Sequence, residues 1–78
     1  MFAANYGQNI RHLDGTLVKV HHISPEGKVY FYCFYIPSTQ QFQFGETPYE
    51  REYGLITDFE PLSREESLEF ERVIINNS

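Results

Sequence analysis

Eight consecutive apolar or aromatic residues fill positions 29–36, reading Val-Tyr-Phe-Tyr-Cys-Phe-Tyr-Ile. The run is too short to span a membrane and is rich in types that fit a pleated surface, so it predicts a strand. Strict alternation would place Val29, Phe31, Cys33 and Tyr35 on one face and Tyr30, Tyr32, Phe34 and Ile36 on the other. Neither face is polar. Either both are covered, or one is held open for a partner.

The remaining pattern supplies candidate neighbours. Leu17, Val18, Val20 and Ile23 make residues 16–23 strand-like, and Ser24-Pro25-Glu26-Gly27 between the two runs predicts a tight reversal, hence a hairpin. Phe42 and Phe44 alternate with Gln41 and Gln43 over 40–44. Tyr49, Arg51, Tyr53 and Leu55 alternate with Glu50, Glu52 and Gly54 over 49–57, where Gly54 marks a bulge or close approach. Residues 58–62 read as a connector. Ser63 followed three residues later by Glu66 has capping-box spacing and predicts a helix over 64–75, with Phe70, Val73 and Ile74 facing the sheet. Leu68 to Glu71 also alternate like a strand, and the cap decides for the helix. At the other end, Phe2, Tyr6, Ile10 and Leu13 have helical spacing up to Asp14-Gly15, against which Asn5, Gly7 and Asn9 are poor helix formers. The rival there is an irregular arm folding Phe2 or Tyr6 over the sheet.

The expected fold is therefore mainly β: a small, strongly bent antiparallel sheet or SH3-like barrel of three to five strands with one C-terminal helix. The alternative is an α+β fold with a further short N-terminal helix. One domain covers 1–78, divided into an arm or short helix (1–15), a β core (16–62) and the helix (63–75). The pattern is similar to the SH3-like barrels of the Tudor and KOW type, on an early hairpin and a closing segment, Gly54-Leu55-Ile56-Thr57-Asp58-Phe59-Glu60-Pro61-Leu62. That resemblance covers about residues 13–62, rests on strand spacing and implies a fold, not an activity.

Composition narrows the class. At 78 residues the chain sits near the lower limit for a self-sufficient core. Its 41% hydrophobic and 17% aromatic content provides the large rings that let a short chain fill one. A single cysteine excludes an intrachain disulfide, and the first residues lack the features of a signal peptide, so the cytoplasm is the expected compartment, with no membrane contact. Net charge is −5, unevenly placed: residues 1–45 carry +1 and residues 46–78 carry −6. That balance disfavours direct nucleic-acid binding, which needs clustered Lys and Arg. The aromatic strand resembles the base-stacking strand of RNA-recognition motifs only superficially, because the glycine and the small residue of that motif are absent.

The reactive side chains add little to this reading. His12, His21, His22 and Cys33 could in number hold zinc, but adjacent strand histidines point to opposite faces and no Cys-x-x-Cys or His-x-x-x-His spacing occurs. No metal or cofactor is expected. Cys33 reads as a buried small hydrophobe, and Glu50 with Glu52 as a solvated strand face instead of an acid/base pair. No catalytic residue is expected. The reading is a small non-enzymatic protein-binding domain with Tyr30, Tyr32, Tyr49, Tyr53, Glu50, Glu52, Glu65, Glu66 and Glu69 as contacts for a protein with a basic surface. A second copy of the chain could also complete the core, as a homodimer. The alternative is an acidic inhibitor, of the kind phages and mobile elements encode, that blocks a host nucleic-acid-binding enzyme by presenting carboxylates where phosphates would sit.

Overall fold

A computed structural model describes residues 4–44 and 52–77. The element order is β1 (Asn9–His12), β2 (Leu17–Ile23), β3 (Lys28–Ile36), β4 (Gln41–Phe44), β5 (Glu52–Leu55), a 3₁₀ turn (Ile56–Asp58), β6 (Phe59–Pro61) and α1 (Arg64–Asn76). The hairpin of β2 and β3 forms at the expected reversal: Gly27, at φ +89°, donates its N–H to the Ser24 carbonyl, and the Ser24 hydroxyl accepts from Lys28.

All pairings are antiparallel, in the spatial order β4-β3-β2-β1-β6, with β5 also on β3. β4 pairs with the Cys33–Ile36 end of β3 and β5 with its Lys28–Tyr30 end, so the two follow one another along the same edge. The sheet is open. Of the two expected forms, the antiparallel sheet with one C-terminal helix is the one found, with six strands instead of three to five, and the closed barrel does not form. Two causes are visible: β6 is only three residues long and ends at Pro61, which lacks an N–H for a further ladder, and the chain leaves β5 directly into the 3₁₀ turn. β6 also lies within the stretch read as a connector.

The expected N-terminal helix does not form. Ile10 is fully buried in a strand that has β2 on one side and β6 on the other, Leu13 is 81% exposed, and Gly7 has a φ of +82° that a helix does not accommodate. A strand flanked on both sides satisfies its backbone and buries Ile10, which outweighs a helical spacing built on poor helix formers. The preceding residues form the rival arm, with Tyr6 over the sheet.

Ile10, Val18, Val20, Val29, Phe31, Ile56 and Phe59 form the core inside the bend, with Ala4, Ile23, Phe34 and Tyr53 packed against them. The opposite face carries Asn9, Arg11, Lys19 and Cys33, and α1 lies on it. Ser63 caps the helix in the full reciprocal box with Glu66. Asn9 donates from Nδ2 to Ser67 Oγ (2.8 Å) and to Glu71 Oε1 (2.9 Å), Lys19 pairs with Glu71, and Arg11 pairs with Glu60 and Glu66. As expected for the sheet-facing stripe, Phe70 is buried, while Val73 and Ile74 are half-buried.

Truncating Phe70 leaves a hole at the only fully buried residue of α1. Phe70→Ala is expected to destabilise the domain by about 3–5 kcal/mol, against a total of roughly 4–12 kcal/mol for a chain of this size. Urea denaturation followed by circular dichroism checks this; a loss under ~1 kcal/mol would mean that α1 is not docked through Phe70.

Candidate functional site

The register between β2 and β3 slips twice. Lys19 pairs with Cys33 but Val20 with Phe31, which makes Tyr32 the extra residue of β3; His22 then pairs with Tyr30, which makes His21 the extra residue of β2. Each strand therefore carries one extra residue, and the two bulges offset one another, so both strands keep their apolar side inward on either side of the irregularity. This corrects the strict alternation expected for 29–36. Phe31 and Phe34, three apart, share the core with ring centroids 5.7 Å apart, and Cys33 turns to the helix side.

The two extra residues face each other, with the His21 and Tyr32 rings 5.8 Å apart, edge to face. Tyr6 closes the group at 5.6 Å from His21 and 5.7 Å from Tyr32. The arm is held there by backbone bonds of Gly7 and Gln8 to Val20 and by Lys19 Nζ donating to the Gly7 carbonyl. On the next pair along the ladder, His22 stacks on Tyr30, centroids 4.6 Å apart and planes within 5°. His21 and His22 also meet, Nδ1 to Nδ1 at 2.7 Å. Glu52 is the ladder partner of Tyr30 on the third strand, so His22, Tyr30 and Glu52 form a row across the sheet. Burial, together with the hydrogen bond that its hydroxyl donates to Tyr6, pushes the Tyr32 phenol up to about 12.

The expected contact residues thus divide. Tyr30, Tyr32 and Glu52 come together, joined by Tyr6, His21 and His22, which sequence reasoning did not assign to the site. Tyr53 lies elsewhere, at the core margin between His12 and Phe59, with its hydroxyl bonded to Asp14 and to Thr16 Oγ1 (3.0 Å). Glu66 is occupied by the helix cap and Arg11, Glu69 pairs with Arg72 at 2.6 Å, and Glu65 makes no ion pair with a described residue. Glu52 also lies 3.8 Å from Lys28. Tyr49 and Glu50 lie outside the described residues. No group of three or more His, Cys, Asp or Glu gathers as a metal site among the described residues, and no helix there is long and apolar enough to cross a membrane.

The chain matches no known family model, no curated protein and no solved structure.

Two electrostatic consequences are measurable. The Arg11 guanidinium, with the Ser63 N–H, holds Glu66 at about 2. Partial burial pushes Asp14 up, but the bonds from Tyr53 and Thr16 outweigh it and hold that carboxyl at about 2 as well. Groups depressed in the fold stabilise it fully above their unfolded values near ~4 and lose that contribution as pH falls toward the folded ones. Urea midpoints are therefore expected to hold from pH 7 to about 5 and fall between about 4.5 and 2, with the fall reduced in Arg11→Gln. Cys33, fully buried and raised to about 11 by that burial, should react with a thiol reagent only as fast as the domain opens. Immediate labelling of the folded protein would contradict its placement beneath α1.

Proposed function

We propose that this chain is a small non-enzymatic protein-binding domain whose contact surface is the ring cluster of Tyr6, His21, His22, Tyr30 and Tyr32, with Glu52 on its margin. One observation carries this reading: the facing bulges gather five rings on one side of the sheet, where Tyr6 stays 73% exposed and the others half-buried. Aromatic side chains with polar tips are the types that anchor interfaces. A partner with a basic surface suits them, because Arg and Lys bind ring faces and Glu52 adds a carboxylate at the rim.

The acidic-inhibitor reading is less well supported, since Glu60, Glu66, Glu69 and Glu71 are engaged by the chain's own Lys and Arg residues. β4 and β5 act as one interrupted strand, a 3₁₀ turn precedes β6, and β6 returns to β1. That path supports an SH3-like organisation of the open sheet.

The test is affinity capture with the wild-type chain from its native host, followed by two variants checked for folding by circular dichroism. Tyr30→Ser with Tyr32→Ser is expected to weaken capture of the basic partner by at least about tenfold, as loss of hot-spot rings does. Glu65→Lys with Glu69→Lys should leave it within about threefold, as expected of rim charges. The reverse pattern, with steep salt dependence, would overturn the ring surface in favour of acidic mimicry. Sedimentation of the free protein tells whether the captured partner is a second copy of the chain.

A further inference from the structure

A sheet edge presents backbone N–H and C=O groups to any strand that arrives, and native edges carry devices that keep one away. Two of the three edge strands here have them. β6 is three residues long, ends at Pro61 and has Glu60 tied to Arg11. β5 pairs irregularly with β3, carries Glu52, has Gly54 at φ +84° and is drawn inward through Tyr53. β4 has none of these. Its four residues, Gln-Phe-Gln-Phe, include no charge and no proline, its register on β3 runs unbroken from Phe44 to Gln41, and no strand lies on its other side among the described residues. Alternate residues of an antiparallel strand turn both backbone groups outward, so two of the four face away from β3, each with a donor and an acceptor.

The side chains select the strand that fits. Phe42 lies opposite Tyr35 and Phe44 opposite Cys33, so both rings are on the α1 side of the sheet, with centroids 4.9 Å apart and Phe44 42% exposed. Gln41 and Gln43 are exposed on the other side. A matching strand brings apolar groups to the first side, polar groups to the second, and no charge. β4 of a second copy does all three, because antiparallel pairing about a two-fold axis normal to the sheet keeps each side on its own side: Phe meets Phe and Gln meets Gln. Copies of a chain with net charge −5 repel one another, and at this strand they meet without opposing carboxylates. We infer that two copies associate edge to edge through β4, as an antiparallel pair that joins their sheets into one. Four residues a side is a small contact beside the ~1,200 Å² of a stable interface, so the dimer forms and dissociates with concentration. The pairing does not rest on the ring cluster.

The test follows the full chain by sedimentation velocity from low micromolar to millimolar concentration, with hydrogen exchange of the β4 amides at both ends of that range. A monomer–dimer equilibrium is expected, strengthened by salt as repulsion between the acidic copies is screened. The outward amides of β4 should exchange at least ~10-fold more slowly in the dimer than in the monomer. Gln41→Lys with Gln43→Lys, both at exposed side chains, sets lysines against one another in either register that pairs Phe with Phe, and should weaken association by at least ~10-fold. Tyr6→Ser, in the ring cluster, should leave it unchanged. A chain that stays monomeric throughout, β4 amides that exchange alike at both ends of the range, or a dimer that survives the two lysines would overturn the pairing. Should the lysine variant fail to fold, the exchange of the wild-type chain decides.

Discussion

The β2–β3 ladder sets the constraint that the rest of the molecule follows. A nine-residue strand apolar on both sides has to be covered twice, and a regular ladder would keep one set of residues on each side along its whole length. The slip at Tyr32 and the compensating slip at His21 divide it instead. Val29, Phe31 and Phe34 all reach the inner core, Cys33 passes to the side under α1, and the two surplus residues leave the ladder for the cluster with Tyr6. One irregularity thus fills the core, seats the helix and exposes a set of rings. Bulges also sharpen local twist, which suits the strong bend of so small a sheet.

Charge is distributed to match that division. The few basic residues of the first half sit where the acidic second half lands: Arg11 between Glu60 and Glu66, Lys19 against Glu71, Lys28 near Glu52. Arg11 and both its carboxylate partners are partly exposed, so these pairs contribute modestly to stability and more to where α1 lies along the sheet. Glu71 is the tightest node, receiving both Lys19 and the Asn9 amide, and both bonds hold its pKa below the ordinary carboxylate value. The acidity of the C-terminal half is in large part an internal fastening.

Tyr53 performs a related task at the open side of the sheet. Its ring bridges His12 and Phe59, its hydroxyl reaches Asp14 and Thr16, and Gly54 beside it takes a left-handed backbone conformation, at φ +84°, that a side chain rarely adopts. Side chains rather than backbone hydrogen bonds thus draw β5 toward β1 and β6. A tyrosine predicted as a partner contact is used to hold the fold together.

Local rules carried much of this structure in the sequence. Pro25 and Gly27 defined the β2–β3 reversal, Ser63 and Glu66 defined the start of α1, Phe70 its buried stripe, and the run at 29–36 its central strand. Those features depend on torsions and hydrogen bonds among residues a few positions apart. What depended on distant partners was not legible. Ile10 is a strand residue because β2 and β6 lie on either side of it, although its own spacing was helical. The bulges at His21 and Tyr32 carry no glycine to announce them; they arise where two strands must match register while both bury their apolar side, a condition that exists only after pairing. The convergence of His21 with His22, and of both with Tyr6, Tyr30 and Tyr32, follows from that slip and was decided by the tertiary structure alone.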